Sequence, residues 1–342
     1  MASDLNWSAT AYWTVAPGRG ELREQPLKPP GPGEAVVRAV HSGVSRGTEL
    51  LVHRGGVPPA VAATMRAPFQ EGDLPGAVKY GYLSVGVVEQ AEDAELLGRT
   101  VFCLYPHQDR YVVPVSALTV VPDGVPAHRA VLAGTVETAV NAVWDAAPRL
   151  GDRIAVIGAG MVGSSVAALL RTFPLQRLEL VDVDESRRPI AERLGVPLVT
   201  PAEAAGECDV VVHCSASGAG LRRGLELLGD EGELIELSWY GDRPVTVDLG
   251  AEFHARRLNI RASQVGAVSA SRRARRSYAD RLGLALDLLQ DPVFDVLISS
   301  HGEFADLPET MHRLAAGELG ALCHVVDYGQ EPASVQSGVQ ED

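Results

Sequence analysis

Three scarcities limit what this chain can be. Basic side chains number 30 against 44 acidic ones, and the formal net charge is −14. Nucleic-acid phosphates and anionic lipids are bound by broad cationic surfaces, so neither nucleic acid nor a membrane is expected as a partner. The four cysteines form no C-x-x-C pair, which excludes a zinc ribbon and a dithiol redox motif. The N-terminus has no cationic region followed by an apolar run, so a cytoplasmic location is predicted rather than secretion.

The remaining composition is that of a globular protein of about two domains. Up to about residue 134, short runs rich in Val and Tyr between Pro and Gly predict strands, at 35–44, 82–89 and 101–115. From Gly151 the pattern changes to alternating strands and helices, which predicts a parallel sheet covered by helices. The strands are expected at 153–157, 178–181, 210–214, 232–237 and 259–263, and the helices at 161–172 and 186–194 and from Thr200. A helix over 275–289 and a strand over 323–326 are expected to return to the first domain.

A glycine-rich motif follows the first strand of the alternating part. Residues 158–163 read GAGMVG, which fits G-x-G-x-x-G, and Asp182 ends the next predicted strand. Gly158 permits a tight turn, Gly160 lets the backbone approach a pyrophosphate, and Gly163 lets the helix pack closely on the strand. Met161 and Val162 begin that helix, whose N-terminus favours an anion. Asp182 can bind both ribose hydroxyls and would repel a 2′-phosphate, so NAD is predicted over NADP, with Arg187 near the adenosine.

These motifs resemble the medium-chain dehydrogenase/reductase superfamily, the relatives of zinc alcohol dehydrogenases. The resemblance lies in the glycine motif and in residues 43–45, 81–88, 111–114, 209–215 and 232–238. It implies an α/β fold with a GroES-like β-rich catalytic domain and a Rossmann domain with a doubly wound parallel sheet. The implied boundaries are 1–133, 134–267 for the Rossmann domain, 268–328 for the return, and a polar tail at 329–342. It further implies cofactor contacts and a homodimer; the contacts are Leu237 and Ser238 beside the nicotinamide, Ser215 on the adenosine side and Arg46 at the pyrophosphate.

The zinc ligands of that superfamily are missing here. Ser45 and Tyr82 stand where zinc members have Cys and His, and residues 134–135 supply no third ligand, since Glu137 is offset. The four-cysteine structural zinc lobe is also absent from the sequence. Catalytic zinc needs three protein ligands and structural zinc four, so a metal-free protein is predicted. Residues 42–49 resemble the branch that includes bacteriochlorophyllide hydroxyethyl dehydrogenases, which suggests a secondary-alcohol reaction.

Without zinc, another group must stabilise the charge that develops on the substrate oxygen. Tyr82 is the first candidate for the proton donor, with Lys79 lowering its pKa or binding the substrate. His107 is the second candidate, because the ordinary pKa of histidine is close to neutrality. Tyr105 is expected to line the substrate pocket. In the alternative interpretation Tyr82 merely fills the space of the metal and Lys79 faces water.

The sequence leaves three functions open. The first is metal-independent, NAD-dependent hydride transfer between nicotinamide and a secondary alcohol or ketone, with a small molecule as substrate. The second is reduction of an activated C=C bond or quinone, and the third is dinucleotide binding without catalysis. Four arginines at 272, 273, 275 and 276 either form a solvated surface or bind an anionic group of the substrate.

Overall fold

The computed structural model describes residues 7–329, so the predicted tail lies outside the described residues apart from Gly329. The first strands and helices are, in chain order, β1 (Ser8–Ala16), β2 (Arg19–Pro26), β3 (Glu34–Val44), α1 (Arg46–His53), β4 (Glu71–Gly72), β5 (Val78–Lys79), β6 (Ser84–Gln90), β7 (Thr100–Cys103), β8 (Arg110–Pro114), β9 (Thr119–Val120), α2 (Ala127–Ala130) and α3 (Ala133–Ala146). They are followed by β10 (Arg153–Ile157), α4 (Met161–Leu170), β11 (Arg177–Val181), α5 (Arg188–Leu194), β12 (Leu198–Val199), β13 (Cys208–His213), α6 (Gly218–Leu227), β14 (Leu228–Glu236), α7 (Glu252–Ala255), β15 (Asn259–Ala262), α8 (Tyr278–Leu288), β16 (Ile298–Glu303), α9 (Leu307–Ala316) and β17 (Cys323–Asp327).

The N-terminal part builds two mainly antiparallel sheets. The larger has the strand order β16-β17-β3-β6-β7-β9, with β8 also paired to β3, and the smaller has the order β2-β1-β5-β4. Strand β3 is rich in Val and Ala and is buried or half-buried along its length, because it lies inside the larger sheet and contacts α2. Strands β16 and β17 complete that sheet from the other end of the described chain.

The middle of the chain forms a six-stranded sheet of order β12-β11-β10-β13-β14-β15, in which all neighbouring strands are parallel. Helices cover both faces. Val212 and Ile235 therefore pack into one apolar cluster, and Val211 and Leu234 pack into another on the opposite face. The strand order reverses between β10 and β13, and such sheets bind ligands outside the carboxyl ends of the strands at that point. This doubly wound sheet and the β-rich part together confirm the predicted α/β fold class.

The predicted helix from Thr200 is wrong, because residues 201–203 form only a turn. The contacts of a helix start do form, since the Thr200 backbone N–H and hydroxyl both donate to the Glu203 carboxylate. Strand β13 begins at Cys208, so only residues 204–207 separate it from the turn, and the left-handed φ of Glu207 (58°) ends the segment before another helical turn can form. Within residues 7–329, none of the helices combines the length and the apolar character needed to cross a membrane.

A buried ion pair joins α8 to α3. Arg281 is 1% exposed, and its Nε donates to a carboxylate oxygen of Glu137 over 3.0 Å. The same guanidinium donates to the Asn141 side chain (2.6 Å) and to the backbone carbonyl oxygens of Val265 and Ala267. Four N–H groups of one side chain thus hold two helices and the segment between β15 and α8 together.

Candidate active site

The glycine turn between β10 and α4 has the geometry that its sequence pattern requires. Gly158 has φ +102°, and a Cβ there would lie 2.9 Å from the Cα atom of Ser215. A Cβ on Gly163 would lie 1.9 Å from the Gly158 carbonyl oxygen, so only glycine allows α4 to pack this closely. A Cβ on Gly160 would meet nothing within 4 Å. The turn is therefore tightly packed at Gly158 and Gly163 and open at Gly160, so a pyrophosphate can approach the backbone at Gly160.

Helix α4 begins directly behind this opening. Its N-cap is Gly160, which has no side chain to bond the first N–H groups, and Met161 and Val162 form its first turn. The first N–H groups of a helix have no partner within the helix, and the helix dipole makes that end positive. This end of α4 can therefore bind an anionic group without help from a side chain.

Asp182 follows β11 and lies beside the glycine turn. One carboxylate oxygen accepts a hydrogen bond from the Ala159 N–H (2.6 Å), and the other accepts one from the Asp184 N–H (2.9 Å). Each oxygen keeps a further lone pair, and the side chain is only half-buried, so Asp182 can still accept hydrogen bonds from a ligand. The structure thus brings together the two parts of the predicted dinucleotide motif.

Two arginines approach this region from distant parts of the sequence. Arg46 begins α1 and donates to the Ala321 carbonyl oxygen over 3.0 Å, while Arg187 donates to the carbonyl oxygen of Gly320 over 3.4 Å. Burial lowers the pKa of Arg46, and the nearby charge of Arg187 lowers it further. Only Arg187 is paired with a carboxylate here, that of Asp184 at 3.2 Å. An anionic ligand between these guanidinium groups would offset their mutual repulsion.

The loops after β13 and β14 carry the three other predicted cofactor contacts. Ser215 follows β13, and Leu237 and Ser238 follow β14. The Ser238 hydroxyl oxygen accepts a hydrogen bond from the Ala216 N–H (3.0 Å), and the Leu237 N–H donates to the His213 carbonyl oxygen (3.0 Å). The two loops therefore form one continuous edge over the carboxyl ends of the two strands.

Under this edge lies a polar network that sequence reasoning missed, which we call the His213 cluster: His213, Ser215, Glu236, Ser238 and Tyr240. His213 is fully buried; its Nδ1 lies 2.9 Å from both carboxylate oxygens of Glu236, and its Nε2 lies 2.7 Å from the Ser215 hydroxyl. Glu236 also accepts hydrogen bonds from the Ser238 N–H (2.7 Å) and the Tyr240 hydroxyl (2.9 Å). The only sequence signal was a polar residue at the end of two apolar strands.

The first catalytic candidate, Tyr82, lies against Ser45. Its hydroxyl donates to the Ser45 hydroxyl oxygen over 2.6 Å. Burial raises the pKa of Tyr82 to about 12, the negative charge of Glu49 also raises it, and hydrogen bonds with Ser45 and Thr48 lower it in part. Three hydroxyl groups thus meet where the resemblance places the zinc site. At neutral pH the phenol is protonated and can donate a hydrogen bond.

His107 lies deeper than a group that touches substrate would be expected to lie. It is 1% exposed, with Nε2 2.8 Å from the Glu49 carboxylate and Nδ1 2.7 Å from the Ser42 hydroxyl. Glu49 in turn accepts a hydrogen bond from the Ser45 N–H (2.7 Å). His107 therefore supports the backbone that carries Ser45, through a buried carboxylate.

Lys79 does not act on Tyr82. Its fully buried ammonium group donates to Glu71 and to Gln108 (2.6 Å), and it lies 5.4 Å from the centre of the Tyr105 ring. The pKa of Tyr82 is shifted by burial, Glu49, Ser45 and Thr48 and not by Lys79, whose ammonium group is bonded to Glu71 and Gln108, so the prediction that Lys79 lowers it is wrong. The alternative that Lys79 faces water is also wrong. Tyr105 is 7% exposed and its ring stacks on Tyr111, with 4.0 Å between centroids.

Proteins similar in sequence match parts of the chain. An alcohol dehydrogenase from Cupriavidus necator is 24% identical over 257 residues, which are 64% of this chain and 69% of that protein. An L-threonine 3-dehydrogenase from Bacillus velezensis is 28% identical over 123 residues, or 32% of this chain. The chain thus matches only 35% of the length of that threonine dehydrogenase. No family model matches the chain.

Similarity in structure extends over nearly the whole chain. An acetophenone reductase from Geotrichum candidum, solved in complex with NAD, has a TM-score of 0.76 at 20% identity, covering 95% of this chain and 99% of that chain. The fold is that of the medium-chain alcohol dehydrogenases. Other structures with this medium-chain fold are described as bound to NADH or NADP, and some as zinc-binding dehydrogenases.

At the positions where the resemblance places the zinc ligands, this chain has other residues, and these make contacts of their own. Ser45 and Tyr82 hydrogen-bond to each other, and Glu137, the nearest carboxylate to the third position, is paired with Arg281 instead. In the part of the chain from residue 7 to residue 329, no group of three or more His, Cys, Asp or Glu residues has a geometry that could hold a metal ion. The residues present therefore do not fit a catalytic zinc site.

The arginine-rich segment at 272–276 lies between β15 and α8. All four of its arginines are exposed, and the Arg272 guanidinium lies 6.0 Å from the centre of the Trp144 ring. This segment therefore lies in a different part of the fold from Arg46 and Arg187. The structure gives no contact that brings this segment to Tyr82.

Proposed function

We propose that this chain is an NAD(H)-dependent oxidoreductase that transfers hydride between nicotinamide and a small secondary alcohol or ketone. The observation that carries the proposal is the open glycine turn at the N-terminus of α4 with the Asp182 carboxylate beside it. The medium-chain fold supports it, and so does the similarity to an acetophenone reductase solved with NAD. A homodimer through the edge strand β15, whose four residues are all exposed, is part of the same proposal.

The residues that would hold the cofactor form two groups on either side of the glycine turn. Asp182 would bind the ribose hydroxyls of the adenosine, and Arg46 and Arg187 would bind the pyrophosphate together with the N–H groups of Met161 and Val162. On the other side, Leu237 and Ser238 would face the nicotinamide ribose and amide, and Ser215 would lie on the adenosine side of the same edge. When bound, NAD(H) supplies the hydride acceptor or donor.

The chain itself would handle the charge and the proton of the substrate oxygen. In reduction the Tyr82 hydroxyl, which is protonated at neutral pH because its pKa is about 12, would donate a hydrogen bond to that oxygen while negative charge develops there, and would transfer its proton to the oxygen once the hydride has arrived. Ser45 and Thr48, which hydrogen-bond the phenol, would pass a proton from solvent to the Tyr82 phenolate that remains. Oxidation of an alcohol would use the same hydroxyl groups in reverse. No metal is needed for these steps, so metal independence belongs to the proposal.

Substitution of Asp182 tests the cofactor. Asp182→Asn keeps the size of the side chain and removes the charge that would bind two ribose hydroxyls, so we expect NADH to bind about tenfold more weakly and the discrimination against NADPH to shrink. Glu185→Gln removes a negative charge three residues away, on an exposed side chain paired with Arg188, and should leave NADH affinity within about twofold. Titration of NADH fluorescence measures both constants. Equal NADH affinity in Asp182→Asn and the wild type would contradict the assignment.

Activity and metal content can be measured on one preparation. We expect the purified protein, dialysed against a chelator, to oxidise NADH with at least one ketone from a panel of aryl and alkyl ketones, at a rate that added zinc does not raise. Stoichiometric tightly bound zinc with loss of activity on its removal would refute metal independence. Turnover of enones or quinones alone would replace the ketone substrate by an activated C=C bond or quinone. NADH binding without turnover of any of these compounds would indicate a non-catalytic dinucleotide-binding protein.

A further inference from the structure

We propose that Glu236, held in place by His213, is a fixed negative charge that makes this site bind the positively charged oxidised nicotinamide in preference to the reduced one. The inference rests on the proposed NAD(H) function and adds the redox state that the site favours. It assigns a role to the His213 cluster, which neither the glycine motif nor the hydroxyl groups around Tyr82 use.

Glu236 lies at the carboxyl end of the parallel sheet, where the nicotinamide would bind. In a doubly wound sheet the dinucleotide crosses the point where the strand order reverses, with one nucleotide over each half. The glycine turn and Asp182 take the adenosine half, over β10 and β11. The nicotinamide half must then lie over the carboxyl ends of β13 and β14. Glu236 is the last residue of β14 and is paired with His213, the last residue of β13.

The surroundings of Glu236 favour its negatively charged form. Burial raises the pKa of this carboxyl, but the hydrogen bonds from His213 and from the Ser238 N–H outweigh it, and the pKa ends below its ordinary value. Three different donors, on His213, Ser238 and Tyr240, hold the two carboxylate oxygens at 2.7–2.9 Å. The side chain remains 13% exposed, so it is not sealed in the core.

The contacts within the His213 cluster do not require a positive charge that would compensate the charge of Glu236. An uncharged imidazole satisfies both contacts of His213, because Nδ1–H donates to Glu236 and Nε2 accepts from the Ser215 hydroxyl. Arg243, the nearby cation, is directed to the backbone carbonyl oxygens of Tyr240 and Ala216. With the imidazole in this uncharged form, the cluster carries one negative charge, that of Glu236. Such a charge stabilises a cationic ring and leaves a neutral ring unaffected.

Hydrogen bonds and packing hold the Glu236 carboxylate in one position. Ser238 joins the two loops through Ala216, which has φ 49°, and Tyr240 fixes the next residues to Glu236. Trp239, between Ser238 and Tyr240, packs into the apolar cluster that includes Tyr82. The carboxylate is thus held between the sheet and the part of the chain that carries the proposed proton donor. Because the carboxylate is held in one position, it can stabilise a positive charge without reorganising when the ligand binds.

The test compares three ligands on four forms of the full-length protein. NAD⁺, NADH and ADP-ribose, which lacks the nicotinamide ring, are titrated by calorimetry. For Glu236→Gln we expect the ratio of NAD⁺ affinity to NADH affinity to fall about tenfold, the size for a unit charge at roughly 12 Å in an effective dielectric of about 20. ADP-ribose affinity should stay within twofold. Glu236→Asp, which keeps the charge, should keep most of the wild-type ratio.

Glu231→Gln is the matched control, because it removes one charge at the other end of β14, where Glu231 is exposed and paired with Arg257. Its ratio should equal that of the wild type. If Glu236→Gln does not fold, Glu236→Ala leaves no amide facing His213 and should show the same fall. An unchanged ratio in the folded variant, or equal losses for all three ligands, would overturn the proposal. A wild-type protein that binds none of them would overturn the NAD(H) function as well.

Discussion

Tyr82→Phe is expected to lower the rate constant for ketone reduction about 100-fold and to leave the dissociation constant of NADH unchanged. The substitution removes one oxygen atom and keeps the ring that packs beside Trp239 and Tyr80. In the proposed mechanism, the lost group is the hydrogen-bond donor for the substrate oxygen, on which negative charge develops as hydride is transferred. Single-turnover measurements with saturating NADH separate this step from cofactor binding.

Tyr80→Phe is the matched control for that prediction. The Tyr80 ring lies 6.0 Å from the Tyr82 ring, its hydroxyl makes only a long 3.5 Å contact with the Met65 carbonyl oxygen, and it should retain turnover within about threefold. Between pH 6 and 9 the wild-type rate should show no ionisation of Tyr82, because its pKa of about 12 lies above this range. Wild-type turnover in Tyr82→Phe would remove Tyr82 from the mechanism and leave Ser45 and Thr48 as the remaining donors.

Arg281→Met is expected to lower the free energy of unfolding by about 3–5 kcal/mol, the largest stability effect that we predict. Methionine fills much of the same volume but leaves the Glu137 carboxylate and the Val265 and Ala267 carbonyl oxygens buried without their donor. Urea unfolding followed by circular dichroism measures the change.

Two further variants show whether that loss comes from the stranded charge. Arg275→Met, on the exposed arginine-rich segment, should change the free energy of unfolding by less than about 0.5 kcal/mol. Adding Glu137→Gln to Arg281→Met should recover part of the stability, because no buried carboxylate is then left unpaired. A loss below about 1 kcal/mol for Arg281→Met would show that the pair contributes little.

Local sequence patterns predicted the parts of the molecule that depend on local chemistry. The strand at 153–157 was predicted with its exact ends, and the turn at 158–163 was predicted because few residues other than glycine fit it. The helix from Thr200 failed for a non-local reason: its start signal is intact, but β13 begins too soon after it. A start signal states where a helix can begin and does not state whether the fold leaves room for one.

The candidate site shows the same limit. Lys79 is close to Tyr82 in the sequence, yet its partner Gln108 comes from another strand connection, so nearness along the chain gave the wrong contact. His213 and Glu236 are 23 residues apart and meet only because β13 and β14 are parallel and in register at their last residues. Register between strands depends on tertiary packing, and a single sequence does not state it.

Strand β17 lies between β16 and β3, and the Asp327 side chain bonds His41 from 286 residues further along the chain. During synthesis on the ribosome, β3 must therefore wait for this neighbour until almost all of the polypeptide has emerged. Until then one edge of β3 offers its N–H and C=O groups to any other extended segment. The inserted parallel sheet can form earlier from its own consecutive strands, so the nascent chain would carry a finished parallel-sheet half beside an incomplete β-rich half.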